Sequence, residues 1–335
     1  MPPMSPFATR ACALAAVSLS ALAGCALPPQ DGGAAEPFGI LREMRSPAIP
    51  RFLSGLSWAG GNRFYAVADR GGLLYRLRID LADGQVETLH VGRPVALEGA
   101  RDLEGVAWDP LRKTVWAADE IGPSVREFEP KTGRRLSSLA LPPVFANCRA
   151  GRAIESLAIS PDGLGMYLAN EEALAGDGPL SGTGRGTRVR LCRFARSRAD
   201  DDWRADGMWA YDVEPPDGEA LGDYPASALV GLMVAEDGAV FALERDLSAR
   251  NPPGFKARIY QVDFSPADDV ASSRSLETAA VRPVGKRLVF AAPTGLAMYE
   301  GSCFGPVVGD RRLVALCADG DDRLLRAVCF LLAAR

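Results

Sequence analysis

The sequence predicts an all-β fold, a β-propeller of six blades, on three observations. A short pattern recurs five times along the 335 residues. Its copies begin at spacings near those of propeller repeats. Between them run alternating strands broken by turn dipeptides, with no long helical periodicity after the N-terminal segment.

Each copy joins an apolar stretch holding Gly or Ser to a strand that stops at an acid. The copies are Ser54 to Asp69, Glu104 to Asp119, Glu155 to Glu171, Val230 to Glu244 and Thr294 to Asp319. The small residues fall at Gly55, Gly105, Ser156, Gly231 and Gly295, at intervals of 50, 51, 75 and 64 residues. A small residue suits the place where innermost strands of neighbouring blades converge and backbones approach closely. Three positions on stand Trp58, Trp108, Ile159, Val234 and Met298, all large and apolar, and read as packing between blades. In Leu73 to Asp80, Tyr75, Leu77 and Ile79 alternate with Arg76, Arg78 and Asp80, and Arg258 to Phe264 alternates similarly. Turns are marked by Asp83-Gly84, Thr132-Gly133, Pro161-Asp162-Gly163, Asp237-Gly238 and Asp319-Gly320. At about 50 residues per blade the length gives six blades, the strand Leu324 to Leu332 closing the ring on N-terminal sequence.

The first residues read as a targeting segment. Arg10 precedes an apolar run from Ala11 to Ala23, too short to span a bilayer as a helix. Leu22-Ala23-Gly24-Cys25 resembles the bacterial lipobox. That resemblance implies a signal peptide over 1–24, lipidation of Cys25, and an exported protein anchored at the periplasmic face of the outer membrane. Cleavage at small residues by the ordinary secretory route is the alternative. Residues 25–49 read as a tether, with Pro28 to Ala35 flexible, and 50–335 as one propeller domain. The formal charge of −4 is spread along the chain and gives no basic face, which argues against nucleic acid as a partner. A monomer whose membrane contact is the lipid anchor alone is expected.

Beyond Cys12 and Cys25, five cysteines remain; Cys303 with Cys317 and Cys148 with Cys192 are possible pairs. No CxxC supports a zinc or thioredoxin reading. His90 is the only histidine, which argues against serine triads, histidine phosphatases and multi-histidine metal sites. Its strand-like setting suggests a surface residue.

Acids at strand exits can converge on one mouth of a propeller channel without being close in sequence. The candidates are Asp69, Asp119, Glu120, Glu171, Glu244 and Asp319, with Glu104 and Glu155 just before the small residue. Hard divalent cations, calcium foremost, take several such oxygens. Arg70, Arg101 and Arg245 stand nearby and suit a small anionic substrate. Acids holding metal beside arginines form a plausible phosphoester-cleaving site. The same acids also cap turns, and the same arginines form solvated ion pairs. The glycine-rich stretch Pro179 to Arg188 lacks a P-loop lysine; it reads as a loop rimming the mouth, with Arg185 or Arg188 available to a ligand.

Taken together, several motifs resemble the bacterial phytase-like propeller family, described by an esterase-like activity. They are Asp102-Leu103-Glu104-Gly105-Val106-Ala107, Trp116 to Glu120, Ile154-Glu155-Ser156-Leu157-Ala158, Asn170 to Leu174 with Asp177-Gly178-Pro179, and Leu243-Glu244-Arg245. The resemblance implies functional roles for Glu104, Asp119, Glu120, Glu155, Glu171, Glu244 and Arg245. Where relatives tend to carry Asn-x-Glu-Gly, this chain is read as having Pro293-Thr294-Gly295, one carboxylate short. The expected function is metal-assisted hydrolysis of a phosphoester or related ester. In that reading Glu104, Asp119, Glu120, Glu155, Glu171 and Glu244 hold the metal, while no catalytic residue is singled out. The alternatives are a non-catalytic envelope propeller that binds a ligand or partner protein, and a lactone-hydrolysing propeller using similar acids.

Overall fold

The computed structural model describes residues 38–221, 226–249, 253–277, 280–322 and 324–333. The signal segment, Cys25 and the first part of the tether lie outside the described residues.

Among the described residues, twenty-one strands build the fold. The first, β1 (Phe38–Arg45), precedes blade 1, which is β2 (Leu53–Trp58), β3 (Arg63–Ala68), β4 (Leu73–Ala82) and β5 (Gln85–Val91), with the short β6 (Val95–Ala96) also on β4. Blade 2 is β7 (Leu103–Asp109), β8 (Thr114–Asp119), β9 (Ser124–Phe128) and β10 (Arg135–Ser138). Blade 3 is β11 (Ile154–Ile159), β12 (Gly165–Asn170), β13 (Thr187–Ala195) and β14 (Arg204–Val213). Blade 4 is β15 (Ser227–Val234), β16 (Val240–Ser248), β17 (Gly254–Asp263) and β18 (Gly285–Ala291). Blade 5 is β19 (Met298–Val308), β20 (Arg311–Asp319) and β21 (Ala327–Ala333), completed on its outer edge by β1.

The propeller therefore has five blades, not six. Dividing the length by a fixed period miscounts because blades 3 and 4 spend their extra residues on nine- and ten-residue strands and on longer connections. Ring closure does use N-terminal sequence: Phe38 lies opposite Ala333 and Arg45 opposite Ala327 in an antiparallel pair. Residues 38–45, assigned to the tether by sequence, thus belong to the propeller.

Apolar side chains fill the spaces between blades. Val67, Leu103 and Val115 pack between blades 1 and 2, and Trp116, Leu157 and Met166 between blades 2 and 3. Val189, Leu232 and Val240 lie between blades 3 and 4, Leu243 and Leu316 between 4 and 5, and Phe64 and Ala315 between 5 and 1. Burial of such surface, at about 25 cal/mol per Å², is what joins one blade to the next.

The small residue of each innermost strand sits where a neighbouring innermost strand comes closest. A Cβ on Gly55 would lie 2.7 Å from the Glu104 carbonyl oxygen and 2.9 Å from Val106 N, backbone atoms of blade 2. The fifth copy corrects the sequence alignment. Gly301, not Gly295, occupies this place, since its Cβ would lie 2.8 Å from Ser54 O of blade 1. The large apolar residue three positions on is then Phe304, not Met298, and its ring packs edge-on against Phe241 at 5.3 Å.

Cys148, Cys192, Cys303, Cys317 and Cys329 are all free thiols. Cys317 is opposite Gly301 and Cys303 opposite Ala315, so the two cysteines do not face each other across the hairpin.

Candidate functional site

The same irregularity interrupts the innermost hairpin of every blade. Register slips between Leu53 and Gly55, Leu103 and Val106, Ile154 and Ser156, Leu229 and Gly231, and Tyr299 and Gly301. A bulge adds a residue to one strand and re-aims its side chain. The residue before each small one is Ser54, Glu104, Glu155, Val230 and Glu300. Three blades thus place a glutamate at this point. Glu300-Gly301 repeats Glu104-Gly105, so the carboxylate that the sequence reading takes as missing is present as Glu300.

A second row comes from the chain leaving the next strand. Asp69 N donates to Phe52 O at 2.9 Å, Glu120 N to Asp102 O at 2.8 Å and Glu171 N to Ala153 O at 2.8 Å. These equivalent rungs place Asp69, Glu120 and Glu171 alike on blades 1, 2 and 3. Register gives Arg245 and Asp319 the same place on blades 4 and 5, two residues beyond the partners of Gly231 and Gly301.

These rows converge. Carboxylate oxygens of Asp102, Glu104 and Glu120 lie within 4.8 Å of one another, as do those of Glu120, Glu155 and Glu171. Glu120 belongs to both groups. Burial, followed by mutual repulsion, drives the carboxyl pKa values upward. Glu104 is raised well above its usual value by burial and by Glu300, and Glu155 by burial and by Glu104. Glu300 is also pushed up by burial, against the pull of Arg245. Burial raises Asp69 to about 8, with Asp319 adding repulsion. Burial raises Glu120 to about 7, although a hydrogen bond from Ala153 N opposes the shift. Asp319 reaches about 6, raised by burial against the pull of Arg70 and Arg245.

Three arginines partly balance this charge. Arg245 Nη2 donates to Glu171 Oε1 at 2.9 Å, and Arg245 Nε lies 3.4 Å from Glu300 Oε1. Arg152 pairs with buried Glu172, which also accepts from Ser181 N at 2.7 Å. Arg70 lies over the Phe52 ring, its Nε 3.7 Å from Asp69 Oδ2, and its side chain is 58 % exposed.

Two of the acids picked out in the sequence face elsewhere. Asp119, one residue short of Glu120, pairs with Arg126 and accepts from Arg101 N at 3.0 Å and Ile121 N at 3.1 Å. Glu244, one short of Arg245, accepts from Tyr211 Oη and Lys286 Nζ, both at 2.7 Å, and from Glu214 N at 3.0 Å. Strand alternation turns both away from the row that precedes and follows them, and neither belongs to either carboxylate group. Arg101 uses Nη2 on Ile121 O at 3.1 Å while its charge still acts on Asp102. Arg185 donates to Leu180 O, and Arg188 forms a two-pronged pair with Asp212, so neither is directed into the acid cluster. The connection 171–186 is pinned by the buried two-pronged pair Arg190–Asp177, at 2.6 and 2.8 Å. Sequence reasoning assigned no role to Asp102, Arg152 or Glu300. Asp102 stands in a quoted motif, and Glu300 could have been found as a third Glu-small pair; Arg152 carries no such signal.

The donors are all oxygens, the set that calcium, magnesium or manganese takes. Glu104 and Glu155 make no hydrogen bond or ion pair among the described residues, and Asp69 Oδ1 and Asp319 Oδ1 are buried without a hydrogen-bond partner. Unsatisfied buried carboxylate oxygens of this kind fit a divalent cation.

Fold and site define a five-bladed propeller with an acidic cluster at one end of its innermost strands. Residues 51–322 match the Phytase-like family, described as "Esterase-like activity of phytase", and the chain belongs to that family. No curated protein matches it. Among solved structures, it is similar to the PQQ-bound aldose sugar dehydrogenase of Streptomyces coelicolor at 13% identity and a TM-score of 0.42, covering 88% of this chain and 97% of that one. It is also similar to the gluconolactonase XC5397 of Xanthomonas campestris, at 11% identity and a TM-score of 0.39, covering 88% and 91%. A streptogramin B lyase matches at 10% identity and a TM-score of 0.38, over 88% and 98%.

Proposed function

We propose that the protein is a divalent-cation-dependent hydrolase of a phosphoester or related ester. The observation that carries this reading is the pair of carboxylate groups sharing Glu120, in a chain of the phytase-like family. Asp102, Glu104, Glu120, Glu155 and Glu171 would hold cations, calcium foremost. Bound there, a cation supplies charge neutralisation for a phosphoryl or carbonyl oxygen and an activated water. Arg70, exposed at the rim, binds the anionic group of the substrate. Arg245 and Arg152 are positioning residues: tied to Glu171, Glu300 and Glu172, they fix the carboxylates and limit their repulsion. Ester chemistry at this mouth is tested with chelator-treated protein supplied with calcium or magnesium and offered aryl phosphates, phytate and short acyl esters. Metal-dependent turnover that is lost in Glu120→Gln supports the reading; no turnover on any of them with either metal sinks it.

A second reading, a non-catalytic propeller that captures a ligand or partner, draws on one observation. Arg245 is buried between Glu171 and Glu300, and half-buried Arg152 is paired with Glu172, so the anion-binding capacity of the mouth rests chiefly on Arg70. Calcium-dependent stabilisation without any turnover would favour it. With either reading we propose export and lipid anchoring through Cys25, on the leader pattern alone; loss of fatty-acid labelling in Cys25→Ala tests this.

A further inference from the structure

Blade 1 carries a second polar site, at the opposite end of its strands from the acids. In the β3–β4 pair Tyr65 stands opposite Arg76 and Arg63 opposite Arg78, and in β4–β5 Arg78 stands opposite His90. Alternation sets these side chains on one face while Phe64, Leu77 and Ile79 are buried on the other. Tyr65 stacks on Trp108 of blade 2, ring centroids 5.4 Å apart at 21°. Together with Arg93 these residues line a cleft of about 370 Å³, the size of a small-molecule site. Asp69 directly follows the strand that Arg63 begins, so about 15–20 Å of β3 separates the cleft from the acidic mouth.

The charge in the cleft is one-sided. Asp80 engages Arg78 at 3.3 Å and His90 at 2.5 Å. Glu129 of blade 2 is the other acid acting there, through Tyr65. Arg63, Arg76 and Arg93 have no ion pair or side-chain hydrogen bond among the described residues. Guanidinium groups recognise phosphate and carboxylate through paired N–H donors, and aromatic rings offer an apolar face to a ring. Charge dispersed along the sequence conceals this patch; the sheet assembles it from three strands.

We propose that this cleft binds a small ring compound bearing a phosphate or carboxylate group, Arg63, Arg76 and Arg93 taking the anion and the Tyr65–Trp108 pair the ring. The site is independent of the acidic mouth and of the hydrolase reading.

The test titrates the full chain, in chelator, with phenylphosphonate (a ring anion that cannot be hydrolysed), glucuronate and inorganic phosphate, read by calorimetry and tryptophan fluorescence. Saturable binding is expected, tighter for one or both ring anions than for inorganic phosphate; the tighter of the two identifies the acid group. Arg63→Gln and Arg76→Gln, exposed substitutions whose folding circular dichroism checks, should each weaken it about tenfold or more, while Glu155→Gln leaves it unchanged. Absence of saturable binding, equal binding in both arginine variants, no preference for a ring, or loss in Glu155→Gln would each overturn the proposal.

Discussion

Arg245 and Glu171, on neighbouring blades and 74 residues apart, are joined by a buried hydrogen bond of 2.9 Å. The same guanidinium reaches Glu300 on the other side, so one arginine spans three blades of the ring. Replacing it with Met leaves two buried carboxylates without this counter-charge, and removing one partner of a buried pair costs about 3–5 kcal/mol. Arg245→Met should therefore lower the urea midpoint strongly at neutral pH. The deficit should shrink in acid, because burial has raised the pKa of both glutamates and protonation removes their charge. An equal deficit at both pH values would contradict this account.

The raised carboxyl values make a prediction about pH. Asp69, Glu120 and Asp319 hold protons up to about 8, 7 and 6, whereas the unfolded chain releases them near pH 4. The native state thus binds more protons between those limits, and stability falls as pH rises through them. Chelator-treated protein should melt at a lower temperature at about pH 8 than at about pH 5, and calcium should reduce the difference. A chelated protein that grows steadily more stable from pH 5 to 8 would show that the acids are not crowded in solution.

Adjacent positions on the repeat should separate into two behaviours. Glu155→Gln removes a charge from the cluster and leaves no partner unsatisfied, so the fold is kept while the stabilisation by calcium is lost. Glu244→Ala strips the acceptor from Tyr211 and Lys286, both bonded to it at 2.7 Å. It should cost about 3–5 kcal/mol and leave the calcium response intact. Melting curves of both variants with and without calcium check this; the reverse pattern would exchange their roles.

Gly55→Ala tests the close approach of blades 1 and 2. The added methyl would lie 2.7 Å from Glu104 O, a contact only backbone movement can relieve. Overpacking of this kind costs about 1–3 kcal/mol, visible in denaturant unfolding. It also displaces Glu104, so weaker calcium binding should accompany the loss.

Much of the propeller could be read from the sequence because the repeat is enforced by packing. A small residue at the strand crossing and a large one three positions on are required in blade after blade, and both are visible in one dimension. Blade number was less legible, since strand length and connections in blades 3 and 4 vary without disturbing the ring. Among candidate site residues, Glu104, Glu120, Glu155 and Glu171 come together, whereas Asp119 and Glu244 do not. The difference is one residue of strand register, set by a bulge whose exact position the sequence does not mark. Glu300 was missed because Gly295 offered a false start to the fifth copy, six residues early. The arginine cleft left no sequence signal beyond the alternation of β4, because its members meet only across three paired strands.

The pairing of Phe38 with Ala333 joins the first and last strands of the described chain in one blade. The last blade has its four strands only when β1 and β21 are paired. Glu300 and Asp319 belong to that last blade. The acidic mouth thus draws its fifth side from a blade that strands from both ends of the described chain complete.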